Sequence, residues 1–289
     1  MNRPIHFEKL GIIGVGLLGG AVGLAIRKNE LASTVIGIGR DKTKLATAQS
    51  LGCLDEFTTD LEQGIAGCEL AIIALPVKQI LEIIPQIASI VDPGCIVTDV
   101  GSTKKGIVEA ADARFPSDRF FVGSHPMAGS EKSGVENAPL VRFEGMTAFV
   151  TVTDQTDRDA AARVALLWKC LDMVPVMLHP VRHDFYAALM SHLPHVTACV
   201  LANVAAEAPD DINFVRQLAG RGFRDATRMA SGNPALWGDI CLENRENLAA
   251  CIDRAIDELR KIKSALEGND RSRLEALLEN AAAFRKQLD

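Results

Sequence analysis

The apolar run Leu10-Gly11-Ile12-Ile13 leads straight into Gly14-Val15-Gly16-Leu17-Leu18-Gly19, and Gly20 to Ile26 then reads as a helix. A strand, a G-x-G-x-x-G turn and a helix in that order commit the chain to a β-α-β start with a parallel sheet. The first glycine permits the tight turn, the second lets backbone approach a pyrophosphate, and the third lets helix pack on strand. Free N–H groups at the helix start then face the phosphates. Gly14, Gly16, Leu17, Leu18 and Gly19 are therefore candidate dinucleotide-binding positions.

The next strand, Val35 to Gly39, ends where an NAD site places a carboxylate for the ribose 2′-OH, about 20 residues beyond the fingerprint. Gly39 stands there, followed by Arg40 and Asp41. Room plus a guanidinium suits a 2′-phosphate, so NADP is the expected cofactor. Asp41 keeps NAD open as the alternative, because a one-residue shift of the strand end would restore the acid. Leu70 to Leu75 is a continuous apolar strand of the kind buried in a parallel sheet. Leu75 and Pro76 at its end join the cofactor set.

Cys95 to Val100 forms the following strand and ends in Gly101-Ser102-Thr103-Lys104-Lys105-Gly106. Strand C-termini are where doubly wound sheets hold ligands. Ser102 is thus placed beside a nicotinamide, and also where it could cap a helix beginning near Lys104. Phe120 to Gly123 delivers His125 to the same edge, at the head of the loop Gly123-Ser124-His125-Pro126-Met127-Ala128-Gly129-Ser130-Glu131-Lys132-Ser133-Gly134. Strands over 147–152 and 174–178 follow, separated by a helix from about Asp157 to Cys170.

Beyond His179 the periodicity turns helical, with candidates at 184–206, 211–218, 234–266 and 271–287. The expected fold is α/β: an N-terminal Rossmann-type doubly wound sheet over residues 1–179 and a C-terminal all-helical domain over 180–289. The apolar faces of the tail, such as Leu189, Leu193, Val196, Val200 and Val204, exceed what one small bundle needs, so a homodimer through the helical domain is expected.

At 289 residues and 48% hydrophobic content the chain has material for two ordinary domains. A formal net charge of −6 argues against a general affinity for nucleic acid or an anionic membrane surface. Any anionic ligand must then be met by locally placed Arg, Lys or helix N-termini. The seven cysteines form no C-x-x-C pair and lie mostly in apolar runs, which suits reduced, buried thiols. Met1 to Lys9 has no apolar signal core, and no stretch approaches the ~20 apolar residues of a membrane span. A cytoplasmic protein is expected.

Two further clusters carry chemistry. Ser191-His192-Leu193-Pro194-His195 sits in a helix that Pro194 should kink. With His179 and His183 upstream, the H-x-x-x-H and H-x-x-H spacings raise a zinc site, but no Asp, Glu or Cys recurs at matching spacing and no metal is expected. Gly220 to Ala230 gathers Arg221, Arg224 and Arg228 in a Gly-bounded segment, and guanidinium pairing is what a small carboxylate substrate needs.

Taken together, the fingerprint, D-V-G-S-T-K-K-G, G-S-H-P-M-A-G-S-E-K-S-G, S-H-L-P-H and G-F-R-D-A-T-R resemble the prephenate and arogenate dehydrogenase family over nearly the whole chain, from Leu10 to about Asn247. The resemblance implies an oxidative decarboxylation in tyrosine biosynthesis acting on a small dianionic ring substrate. It implies that His125 takes the ring hydroxyl proton and that Ser102 orients that hydroxyl or His125. Arg228 matches the arginine that holds a substrate carboxylate. His195 and Ser191 match residues lining the substrate end, with Ser130 among the substrate-binding positions. Glu131 and Arg224 match a pair resembling a gate. Two alternatives share parts of this plan: a β-hydroxyacid dehydrogenase, whose tail helix should carry a catalytic Lys that is missing here, and a non-catalytic dinucleotide-binding sensor.

Overall fold

The computed structural model describes residues 5–129, 132–208 and 211–288. Its first half alternates strand and helix: β1 (Phe7–Ile13), α1 (Leu17–Lys28), β2 (Ala32–Ile38), α2 (Lys42–Ser50), β3 (Glu56–Thr58), α3 (Leu61–Ile65), β4 (Leu70–Ile73), α4 (Val77–Ile90), β5 (Ile96–Asp99), α5 (Lys105–Asp112) and β6 (Phe120–Val122). The six strands are parallel in the order β3-β2-β1-β4-β5-β6, the Rossmann arrangement. The order in which strands are added reverses between the parallel neighbours β1 and β4, whose last residues Ile13 and Ile73 lie side by side.

Apolar runs make these strands because both faces are covered, so period-2 alternation sorts one run into two cores. Leu10, Ile12, Leu70, Ile72 and Ile96 pack with Val22 and Ile26 of α1. Ile13, Ala71, Ile73 and Val97 pack with Ile80, Ile84 and Ile87 of α4 on the other face.

The strands that follow leave this sheet. β7 (Ser124–Pro126), β8 (Thr147–Thr151) and β9 (Val174–Leu178) form a second sheet in the order β7-β8-β9, antiparallel then parallel, with α6 (Arg158–Cys170) between β8 and β9. Only Gly123 separates β6 from β7, so His125 is presented by a short strand rather than by a free loop. Helices follow: α7 (Pro180–Ala187), a π turn (Ala188–His192), α8 (Leu193–Ala206), α9 (Ile212–Leu218), α10 (Arg221–Thr227), a 3-10 turn (Arg228–Ser231), α11 (Pro234–Glu243), α12 (Arg245–Glu267) and α13 (Arg271–Arg285).

Arg221 and Arg224 of the Gly-bounded segment lie on α10. Two expectations are corrected. The single helix foreseen over 234–266 is two, interrupted at Asn244. Pro194 lies in the first turn of α8 and the irregularity precedes it: lacking an N–H, proline cannot serve the carbonyl four residues back, and the chain widens into a π turn there.

The run from Pro180 to Ala206 is also long and apolar enough, by length and composition, to cross a bilayer, which corrects the expectation that no stretch would be. It nevertheless buries His183, Asp184, His192 and His195. By its internal contacts the chain divides into a unit ending at Asn244 and a second unit of α12 and α13, which pack on each other. All seven cysteines are free thiols.

Trp168 of α6 is fully buried, and its indole N–H has no partner among the described residues. Trp168→Ala is therefore expected to cost about 3–5 kcal/mol of stability in chemical denaturation, and Trp168→Phe clearly less, since no hydrogen bond is lost.

Candidate active site

The turn after β1 meets the requirements of a phosphate cradle. Gly14 adopts φ +93, and a Cβ there would lie 2.6 Å from both the Ala74 carbonyl and a Leu75 methyl. A Cβ on Gly19 would lie 2.1 Å from the Gly14 carbonyl, whereas one on Gly16 would meet nothing within 4 Å. The first and third glycines are thus forced by packing and the second leaves open space for a ligand. Gly16 is also the N-cap of α1 and no side chain caps that helix, so Leu17 and Leu18 begin it with amides available to a phosphate. These residues fit a dinucleotide pyrophosphate, and Leu75 packs beside Gly14, with Pro76 next in sequence at the start of α4. At the end of β2, Arg40 is exposed, while Asp41 caps α2 by accepting from the Thr43 and Lys44 amides at 3.0 and 3.1 Å.

The candidate catalytic edge is built around His125, which β7 pairs opposite Phe149 of β8. Its Nδ1 lies 2.9 Å from His183 Nε2, and His183 Nδ1 lies 2.7 Å from Asp184 Oδ1. Phe149 stands edge-on to His183 at 5.1 Å. Burial pushes His125 well below its ordinary pKa, and His183 and Lys104 add to the shift. Burial also lowers His183, although its bond to Asp184 opposes this. For Asp184, burial acts upward, but hydrogen bonds from His183 and the Lys105 and Lys104 amides outweigh it and keep the carboxyl ionised.

These protonation states fix the tautomers. An ionised carboxylate only accepts, so His183 donates from Nδ1 and, being neutral, accepts at Nε2. His125 must then donate from Nδ1, which leaves the lone pair on Nε2. That is the form a general base needs.

Asp184 also closes the start of α5, accepting from Lys104 N at 2.7 Å and Lys105 N at 3.0 Å. Ser102 is therefore not the cap of this helix: it lies two residues before the N-cap position and a carboxylate from α7 reaches in instead. It stands half-buried in the turn between Asp99 and Lys104. The Lys104 ammonium bonds Asp99, and both groups are fully buried. Burial pushes the Asp99 carboxyl up and the Lys104 ammonium down, each partly countered by the other. Asp99 accepts from Ser124 N at 3.2 Å, and Ser124 Oγ donates to the Asp99 carbonyl at 2.6 Å, so the residue before His125 is fixed at both ends.

A second group lies along α8. His195 stacks on Trp237 of α11 at 3.5 Å, His192 meets the same indole edge-on at 6.0 Å, and Gly232 packs against both Trp237 and His195. Arg228 opens the 3-10 turn that packs on α8, and its residue is exposed. Ser191 is half-buried in the π turn. Arg224 donates to the Arg216 and Ala219 carbonyls at 3.0 and 2.9 Å. Ser130 and Glu131 lie outside the described residues. Sequence reading gave His183 no catalytic part and assigned no role to Asp99, Lys104, Asp184 or Asn244. The adjacent pair His183-Asp184 at a helix start was the available signal.

The nucleotide-binding domain model of the prephenate dehydrogenase family matches residues 22–176, and the dimerization domain model of that family matches residues 179–280. The chain belongs to this family. It is similar to the prephenate dehydrogenase of Bacillus subtilis, 36% identical over 96% of this chain and 75% of that one. Among solved structures, a prephenate dehydrogenase from A. aeolicus, in complex with hydroxyphenyl propionate and NAD+, superposes with a TM-score of 0.90 at 29% identity, covering 99% of this chain and 100% of that one. Synechocystis arogenate dehydrogenase gives 0.81 at 26% identity, over 97% of this chain and 100% of that one. The chain is thus a dehydrogenase with a nucleotide-binding domain, which sets aside the β-hydroxyacid dehydrogenase and sensor readings.

The buried imidazoles tie stability to pH. Burial pushes His192 down to about 4, whereas in the unfolded chain it takes its proton near 6.5. As pH falls, the unfolded state therefore binds protons first and gains on the fold. Stability is expected to decline between pH 6.5 and 4, by about 3 kcal/mol for His192 alone, with His125 and His183 adding to it. Denaturation midpoints measured across that range should show the slope, and His192→Gln should flatten part of it.

Proposed function

We propose that this chain oxidatively decarboxylates prephenate, and arogenate as a second substrate, in tyrosine biosynthesis, with NADP as its preferred cofactor. The observation that carries the reading is the line Asp184–His183–His125, which holds a neutral imidazole with its Nε2 lone pair outward at the C-terminal edge of a dinucleotide-binding sheet. A bound nicotinamide supplies the hydride acceptor. His125 Nε2 accepts the ring hydroxyl proton as hydride leaves that carbon, and the electron pair released with carbon dioxide makes the ring aromatic. Ser102 orients the hydroxyl or His125. Arg228 holds a substrate carboxylate, and His195 and Ser191 line the substrate end. Gly14, Gly16, Leu17, Leu18, Gly19, Leu75 and Pro76 hold the dinucleotide.

Two observations support NADP over NAD. Gly39 leaves room beside the Arg40 guanidinium, and an Asp41 carboxylate oxygen is already occupied by the cap of α2. The substrate-facing helical part begins at residue 180. Exposed apolar residues there, including Val200, Val204, Ile212, Phe214 and Leu218, support a homodimer through these helices, in the cytoplasm.

Purified protein assayed with both substrates and both cofactors tests the reading, and turnover of neither substrate would refute it. His125→Asn is expected to lower kcat by about 10²–10⁴-fold with cofactor affinity unchanged; an unaltered kcat removes His125 from the reaction. Arg40→Ala should weaken NADP selectively, and equal responses of NAD and NADP would defeat the 2′-phosphate assignment.

A further inference from the structure

We infer that His192 is a substrate-binding residue, its Nε2–H donating to an oxygen of the dianionic ring substrate, with Asn244 as the positioning residue that fixes this tautomer. The inference rests on the proposed reaction and adds to it a contact from the one histidine of the S-H-L-P-H cluster to which no role was assigned.

The argument begins at Asn244, the buried residue that separates α11 from α12. Its amide Nδ2 donates to the Asp184 carbonyl at 2.7 Å, which settles which end of the amide is nitrogen. The same Nδ2 lies 3.2 Å from His192 Nδ1. An amide nitrogen carries no lone pair to offer, so His192 Nδ1 must be the acceptor. Burial lowers His192 to about 4 and it is neutral near pH 7, so its one ring proton sits on Nε2. That N–H is buried and has no partner among the described residues.

A buried donor left unmet costs as much as a hydrogen bond is worth, and native structures keep few of them. His192 is 1% exposed, so bulk water does not serve it. Its surroundings point to a polar ligand. His192 and His195 both contact the Trp237 indole, and His195 Nδ1 is likewise buried and unpartnered among the described residues, while its Nε2 faces Cys199 Sγ at 3.6 Å. Two ring nitrogens with unmet bonding capacity thus flank one indole, in the cluster that adjoins the Arg228 turn.

The other side of His192 connects to the catalytic line. Asn244 holds the main chain of Asp184, whose carboxylate holds His183 and through it His125. One carboxamide therefore links the base to the donor, and the distance between proton acceptor and oxygen-binding group is set by buried contacts. A neutral donor suits a carboxylate or a keto oxygen and disfavours an ammonium group.

Steady-state kinetics with the keto and the amino substrate tests this. His192→Leu and His192→Asn should raise KM about tenfold or more for the substrate that the donor holds, with kcat falling less and the KM for NADP unchanged. His192→Gln places an amide N–H close to the Nε2 position and should stay within about threefold of wild type, a rescue that a purely structural role would not produce. A rise confined to the keto substrate assigns the contact to the side-chain oxygen; an equal rise for both assigns it to a carboxylate they share. Unchanged KM in the Leu and Asn variants, or Gln as impaired as Leu, overturns the inference while wild-type turnover leaves the proposed reaction standing. Wild-type turnover of neither substrate defeats both.

Discussion

The Asp184 carboxylate holds together the edge of the molecule on which chemistry depends. It accepts from His183 Nδ1 and from the amides of Lys104 and Lys105, so one side chain orients an imidazole and closes the positive end of α5. Three donors, one of them an imidazole N–H, keep it ionised although it is buried. Because it stays ionised, it only accepts, and the direction of each hydrogen bond beyond it follows. The tautomer of His125 is thus decided two residues away, by a charge that never meets the ring.

The same few atoms also fix position. Lys104 gives its amide to Asp184 and its ammonium to Asp99, and Asp99 takes the amide of Ser124, the residue before His125. The path from His125 through His183, Asp184, Lys104, Asp99 and Ser124 returns to His125 as a closed circuit. Burying an ion pair such as Asp99–Lys104 is costly relative to apolar packing, and breaking one partner costs more. Its place here ties β5, α5, β7 and α7 to one another, so the base is set by several elements at once and no single rotamer decides where it points.

In this acidic chain the positive groups near the sheet edge and α8 are local. The uncapped start of α1 offers amides without adding a formal charge, Arg40 stands at the end of β2, and Arg228 stands beside α8. His125, His183 and His192 are neutral near pH 7, because burial lowers each of them. Neutral imidazoles near an anion can donate or accept as their tautomers allow, whereas protonated ones could only donate.

Sequence determined the first half of this protein almost entirely. Strand, glycine turn and helix recur at short range, and their apolar periods are local properties, so β1, β2, β4, β5, β6 and the glycine turn could be read from the order of residues, whereas β3, three residues long, and the short strand that carries His125 could not. The helical tail and the family motifs were legible for the same reason, although the break at Asn244 was not. What the tertiary structure alone decided is who meets whom. Ser102 reads as a cap, yet Lys104 N is met by a carboxylate 80 positions away; His183 carries no assigned role in the sequence and becomes the neighbour that fixes the His125 tautomer; and Asn244 shows no local pattern at all. Hydrogen bonds between residues 58 to 80 positions apart leave no periodicity in the chain, because each depends on a single pair of atoms brought together only when the sheets and helices close around them.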